Sequence, residues 1–106
     1  MKRAAVTAWL ATRRPVPPAE LAARMDEVVA AVDEEALTAV PTIAETVVLI
    51  ATDLLARVAG SSDPRSRSLA LDLLAADAFV TYAFEAAAEE GVEVAPLVSR
   101  LLAEVS

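Results

Sequence analysis

Alanine outnumbers glycine 25 to 2 in this chain, and no other feature narrows the fold as much. Alanine is the strongest helix former, while glycine is the usual residue of tight turns and bulges. The balance therefore predicts helices joined by few sharp corners. Thirteen leucines and 14 valines are available to fill an interior. In 106 residues they support one core, and a second would be too small to stand alone. The expected architecture is an all-α bundle of four to five helices, a single domain over residues 1–106 with a long fourth helix.

Proline and glycine cut the chain into pieces. Pro15, Pro17 and Pro18 separate a short first helix, near residues 2–12, from a body at residues 18–106. Residues 1–17 thus read as a short basic N-terminal helix with a proline-rich linker. In the second helix Leu21, Met25, Val28 and Val32 follow a 4-3-4 spacing. Glu20, Arg24, Glu27 and Glu34 fall elsewhere around the axis, which makes the helix amphipathic. Thr42 with Glu45 three positions on matches a capping box at the start of a third helix. Ile43, Val47, Ile50, Leu54 and Val58 line one face of that helix, and Gly60 ends it. Asp63 and Pro64 suit the N-cap and first position of a fourth helix. Nothing interrupts it before Gly91, so it spans about 27 residues and about 40 Å. A last helix follows Pro96, with Leu97, Val98, Leu101, Leu102 and Val105 on one stripe. Val28, Val32, Val47, Ile50, Leu54, Leu73, Val80 and Leu101 sit at stripe centres and are the predicted core.

Composition excludes much chemistry. With no cysteine and no histidine there is no disulfide, thiolate nucleophile, imidazole base, Ser-His-Asp triad or histidine–cysteine metal site. Carboxylates are the remaining acid–base groups. Glu45 and Asp53 share a face of helix three, and Asp77 and Glu85 share a face of helix four. The di-iron bundle arrangement that such pairs suggest needs a Glu-x-x-His element, which the chain lacks. Asp72 and Asp77 lie about 140° apart around a helix and cannot share one ion. No catalytic, cofactor-binding or metal-ligating residue is assigned. Asp77, among apolar neighbours, is expected at the edge of the buried face or paired with Arg57, Arg67 or Arg100. Trp9 and Tyr82 read as core or interface aromatics.

Charge is segregated. Lys2, Arg3, Arg13 and Arg14 stand without an acid in residues 1–18, in a chain whose net charge is −7. Four cations without interleaved aromatics are a weak nucleic-acid footprint, and an acidic body opposes phosphate. The basic end is expected to pair with the acidic body instead. The longest uncharged runs, Ala4 to Thr12 and Ala36 to Ala44, fall well short of the ~20 residues a spanning helix needs. Arg13, Arg14 and Pro15 occupy the place where a signal peptide would be cleaved, so the cytoplasm is the expected location.

The run from Ser68 to Glu85, with Asp72, Asp77, Phe84 and Glu85, resembles a helix of the all-helical isoprenyl diphosphate synthases. The two Asp-rich magnesium motifs of that family have no counterpart in this sequence. The resemblance therefore carries over no catalytic residue and implies at most a non-catalytic relative or partner.

The function expected is association, with a second copy or a larger protein partner, rather than catalysis. On helix four Leu69, Leu73, Val80 and Phe84 form one apolar stripe. Leu71, Ala75, Ala78, Phe79, Tyr82 and Ala86 form another on nearly the opposite side, and this second stripe is the expected homodimer interface. The alternative expectation is a carrier or sensor that encloses an apolar small molecule between its helices.

Overall fold

The computed structural model describes residues 1–61 and 65–105, and folds them into six helices with no strand among them. These are α1 (Arg3–Leu10), α2 (Ala19–Ala31), α3 (Glu34–Thr38), α4 (Ile43–Ala59), α5 (Arg67–Glu90) and α6 (Val94–Val105). The all-α architecture matches the reading of the sequence; the extra helix is α3. It arises because Val32 is extended (ψ 136°) and breaks α2 at Ala31. Asp33 then opens a new turn whose acids Glu34 and Glu35 complement the helix dipole. The chain's amino group closes this corner, donating to the Leu37 and Val40 carbonyls at 2.7 Å each.

Helix α4 is the hub, touching α1, α2, α5 and α6. Its sequence explains why. Ala44, Thr46, Val47, Val48, Ile50, Ala51 and Leu54 are all buried, a sector of about 200° at 100° per residue, just over half the circumference. Thr46, the polar member, donates its hydroxyl to the Thr42 carbonyl at 2.7 Å, so nothing unpaired is buried with it. α5 lies along α4 and contributes Ala75, Ala76, Phe79, Ala83, Ala86 and Ala87. It ends at Gly91, whose φ of 68° is left-handed, the conformation a helix C-terminus uses and β-carbon-bearing residues avoid. From α6, Leu97 and Leu101 complete the core.

Several expectations are corrected here. Of the eight predicted core residues, Val28, Val32, Val47, Ile50, Leu54 and Leu101 are buried, but Leu73 is 49% exposed and Val80 only half-buried. α5 carries two apolar stripes, and the alanine-rich one turns inward. Small side chains let the two helix backbones approach closely, and Phe79 fills the space left among the alanines. Leu102 stays 56% exposed although it shares a stripe with Leu101. α5 begins at Arg67 with the Ser66 hydroxyl accepting from the Leu69 amide at 3.4 Å. Asp63 and Pro64, read as its start, lie outside the described residues. α6 begins at Val94, so Pro96 sits in its first turn, where no backbone N–H is missed.

Candidate functional site

The residues proposed from sequence as a dimer interface are distributed by the fold in another way. Ala75, Phe79 and Ala86 are fully buried within the chain, and Leu71, Ala78 and Tyr82 are half-buried. Tyr82 meets Trp9 edge-to-face, with centroids 6.5 Å apart at 82°. That stripe is the chain's own packing face, which corrects its assignment as a surface.

The wet side of α5 has its own order. Ala70, Leu74, Asp77, Thr81, Phe84 and Ala88 recur at spacings of 4-3-4-3-4, and every one of them is exposed. This is the spacing of a coiled-coil seam, in which alternate three- and four-residue steps keep one narrow face toward a partner helix. Leu74 is 56% exposed and Phe84 37%, with Leu73 beside them. Asp77 lies in this seam, exposed, and among the described residues no ion pair joins it to Arg57, Arg67 or Arg100. Arg57 pairs with Asp53 at 2.8 Å, and Arg67 pairs with Glu20. The seam was readable in the sequence; a count of apolar residues alone passes over it, because Asp77 and Thr81 occupy its centre.

The basic N-terminal segment behaves as its charge suggests. Arg3 pairs with Glu34 at 2.5 Å and also donates to the carbonyls of Val29 and Val32. Arg13 stacks 3.9 Å above the Trp9 ring and bridges to Glu89 at 2.6 Å and Glu85 at 3.4 Å. Glu89 also accepts from the Trp9 indole N–H at 3.3 Å. These two donors, Arg13 first, hold the Glu89 carboxyl below its ordinary value of 4.5. A folded pKa below the unfolded one means stabilisation that is present above pH 4.5 and lost as pH falls through the folded value. Acidification from about pH 5 to about pH 3 should therefore loosen the Arg13–Trp9 stack and change Trp9 fluorescence. Glu89→Gln should show the altered emission already at neutral pH; an unchanged spectrum in both would refute the coupling.

Between α1, the linker and α2 lies an open groove of about 460 Å³. Its walls are largely apolar, from Leu10, Val16, Pro17, Ala22, Met25 and Val29, while Arg3, Arg13, Arg14 and Asp26 supply the charge. A cis peptide bond joins Arg14 to Pro15 where the linker bends along this groove. Sequence periodicity could not reveal it, because its walls come from separate elements. Among the described residues no three acidic side chains converge where a metal ion could be held. No helix among them is long and apolar enough to cross a membrane.

No protein-family profile, curated protein or solved structure matches the chain, so the likeness of residues 68–85 to an isoprenyl diphosphate synthase helix stands on those residues alone.

Proposed function

We propose that this chain acts by association rather than catalysis, through the outer seam of α5, and that its partner is a second copy. The supporting observation is that the seam complements itself. A two-fold interface must pair one patch with its own image. In an antiparallel pair centred on the level of Phe79, positions equally far from the centre face each other. Ala70 then meets Ala88, Leu74 meets Phe84, and Asp77 meets Thr81. Alanine against alanine permits close approach at the ends, and a large apolar pair fills each flank. A hydroxyl stands opposite a carboxylate at the middle, where a polar residue fixes register in coiled coils. A parallel pair would instead set Asp77 against Asp77.

Sedimentation at micromolar to millimolar concentration should report about twice the 11.1 kDa chain mass. Leu74→Glu should return the protein to 11.1 kDa with little loss of melting temperature, since Leu74 is mostly exposed in the single chain. Register has a clean test because the sequence contains no cysteine. Chains carrying both Ala70→Cys and Ala88→Cys should oxidise to a disulfide-linked dimer. Ala70→Cys alone should not, because antiparallel pairing holds the two sites about 27 Å apart. A monomer at millimolar concentration would end the self-pairing reading and leave a larger protein as the candidate partner. A dimer linked through Ala70→Cys alone would make the pairing parallel.

A further inference from the structure

We propose that the groove between α1, the linker and α2 binds a free amphiphile with an apolar chain and one carboxylate head, with Arg14 receiving the head. Of the three arginines that line the groove, two are held in ion pairs and one is not. Arg3 and Arg13 reach carboxylates of Glu34, Glu85 and Glu89. Arg14 does not. Its Nη1 donates to the carbonyls of Ala11 at 3.1 Å and Arg13 at 2.8 Å, and no carboxylate pairs with it among the described residues. Those two bonds use the Nη1 hydrogens and fix the guanidinium at the groove. The Nε–H and the Nη2 hydrogens remain, and that edge is the fork that accepts a carboxylate in bidentate fashion.

The rest of the groove fits an apolar chain. Its volume, about 460 Å³, lies within the about 300–1,000 Å³ of small-molecule sites, whose walls are mainly apolar with few polar groups. Val16 stands 64% exposed beside it, the most exposed large apolar side chain among the described residues, and a bound chain would cover it. Arg3 and Arg13 are neutralised by their carboxylate partners, so Arg14 is the open positive charge of the groove, with Asp26 the one acid in its lining, on a protein of net charge −7. An anionic head is attracted here and repelled from most of the remaining surface. The groove shares no residue with the α5 seam, so binding does not depend on dimer formation.

The test is calorimetric titration of the full chain with dodecanoate, dodecan-1-ol and dodecylammonium, each kept below its micelle or solubility limit. Dodecanoate should bind one to one, about tenfold tighter than dodecan-1-ol, the scale of one charge-assisted contact. Arg14→Ala should erase that tenfold advantage and leave dodecan-1-ol binding unchanged. Ala30→Glu places a charge on the apolar wall at an exposed helical position and should weaken both ligands at least tenfold. Circular dichroism would verify that both variants keep their helices. Equal affinity for dodecanoate and dodecan-1-ol would overturn the assignment of Arg14. Preference for dodecylammonium would place the head at Asp26 and overturn the charge assignment. No heat from any of the three up to its solubility or micelle limit, or titrations unmoved by both variants, would overturn the site.

Discussion

Phe79→Ala should remove about 3–5 kcal/mol of folding stability, the range for large-to-small aromatic changes in cores. Phe79 is fully buried in the contiguous cluster that α4, α5 and α6 share. Its neighbours along the buried face of α5 are alanines, which have no length with which to fill the cavity left behind. Partial collapse is therefore blocked, and the upper part of that range applies. A domain this small shifts by about 4–8 °C per kcal/mol, so the melting temperature should fall by more than about 12 °C. Leu73→Ala is the internal control. At 49% exposure Leu73 should lose less than about 1 kcal/mol. Urea unfolding of the two variants at equal protein concentration measures the contrast. Equal losses would mean that α5 is rotated about its axis from the orientation described.

That contrast also marks where sequence reading stops. Both stripes of α5 were visible in the spacing of the apolar residues, and their assignment was inverted. Periodicity shows that two faces are apolar but carries no information about the helix that will lie against either. The decision belongs to α4, whose own buried Ala44 and Ala51 favour a partner that can come close. Phe79 then fills a site that alanines alone would leave void. By contrast, Val28, Val47, Ile50 and Leu54 were placed correctly, because each lies on a helix with a single apolar sector and one way to bury it. The break at Val32 carried no proline or glycine, and the 4-3-4 spacing ran through it; only Asp33 followed by two acids hinted at a new helix start. The 4-3-4-3-4 spacing of the α5 seam stands in the sequence, but that this face would stay exposed does not. The groove was not legible there, since its residues meet only after the linker folds back over α2.

Glu90→Ala should cost about 1–2 kcal/mol, a large effect for an exposed side chain, because Glu90 finishes a helix to which it does not belong. The first amides of a helix have no partner within it. In α4 the amides of Ile43 and Ala44 donate to the two oxygens of Glu90, at 2.9 and 2.8 Å. The Glu45 amide donates to the Thr42 hydroxyl at 3.1 Å. Thr42 thus performs its half of the capping box expected from the sequence. Glu45 does not return the other half: its Oε2 atom is buried with no hydrogen-bond partner. The carboxylate at this helix start arrives from the far end of α5, 46 and 47 positions along the chain from the amides it accepts. Negative charge there also opposes the positive end of the α4 dipole. Losing it should free the start of α4 and loosen the corner where α5 turns at Gly91 toward α6. Glu90→Gln keeps an acceptor without the charge and should lose about half as much. Amide hydrogen exchange reads the local effect directly, with Ile43 and Ala44 expected to exchange faster in Glu90→Ala while mid-helix amides such as Ile50 follow only the global stability. Protection of Ile43 and Ala44 that is unchanged in Glu90→Ala would show that water satisfies these amides and that the two helix ends are not coupled.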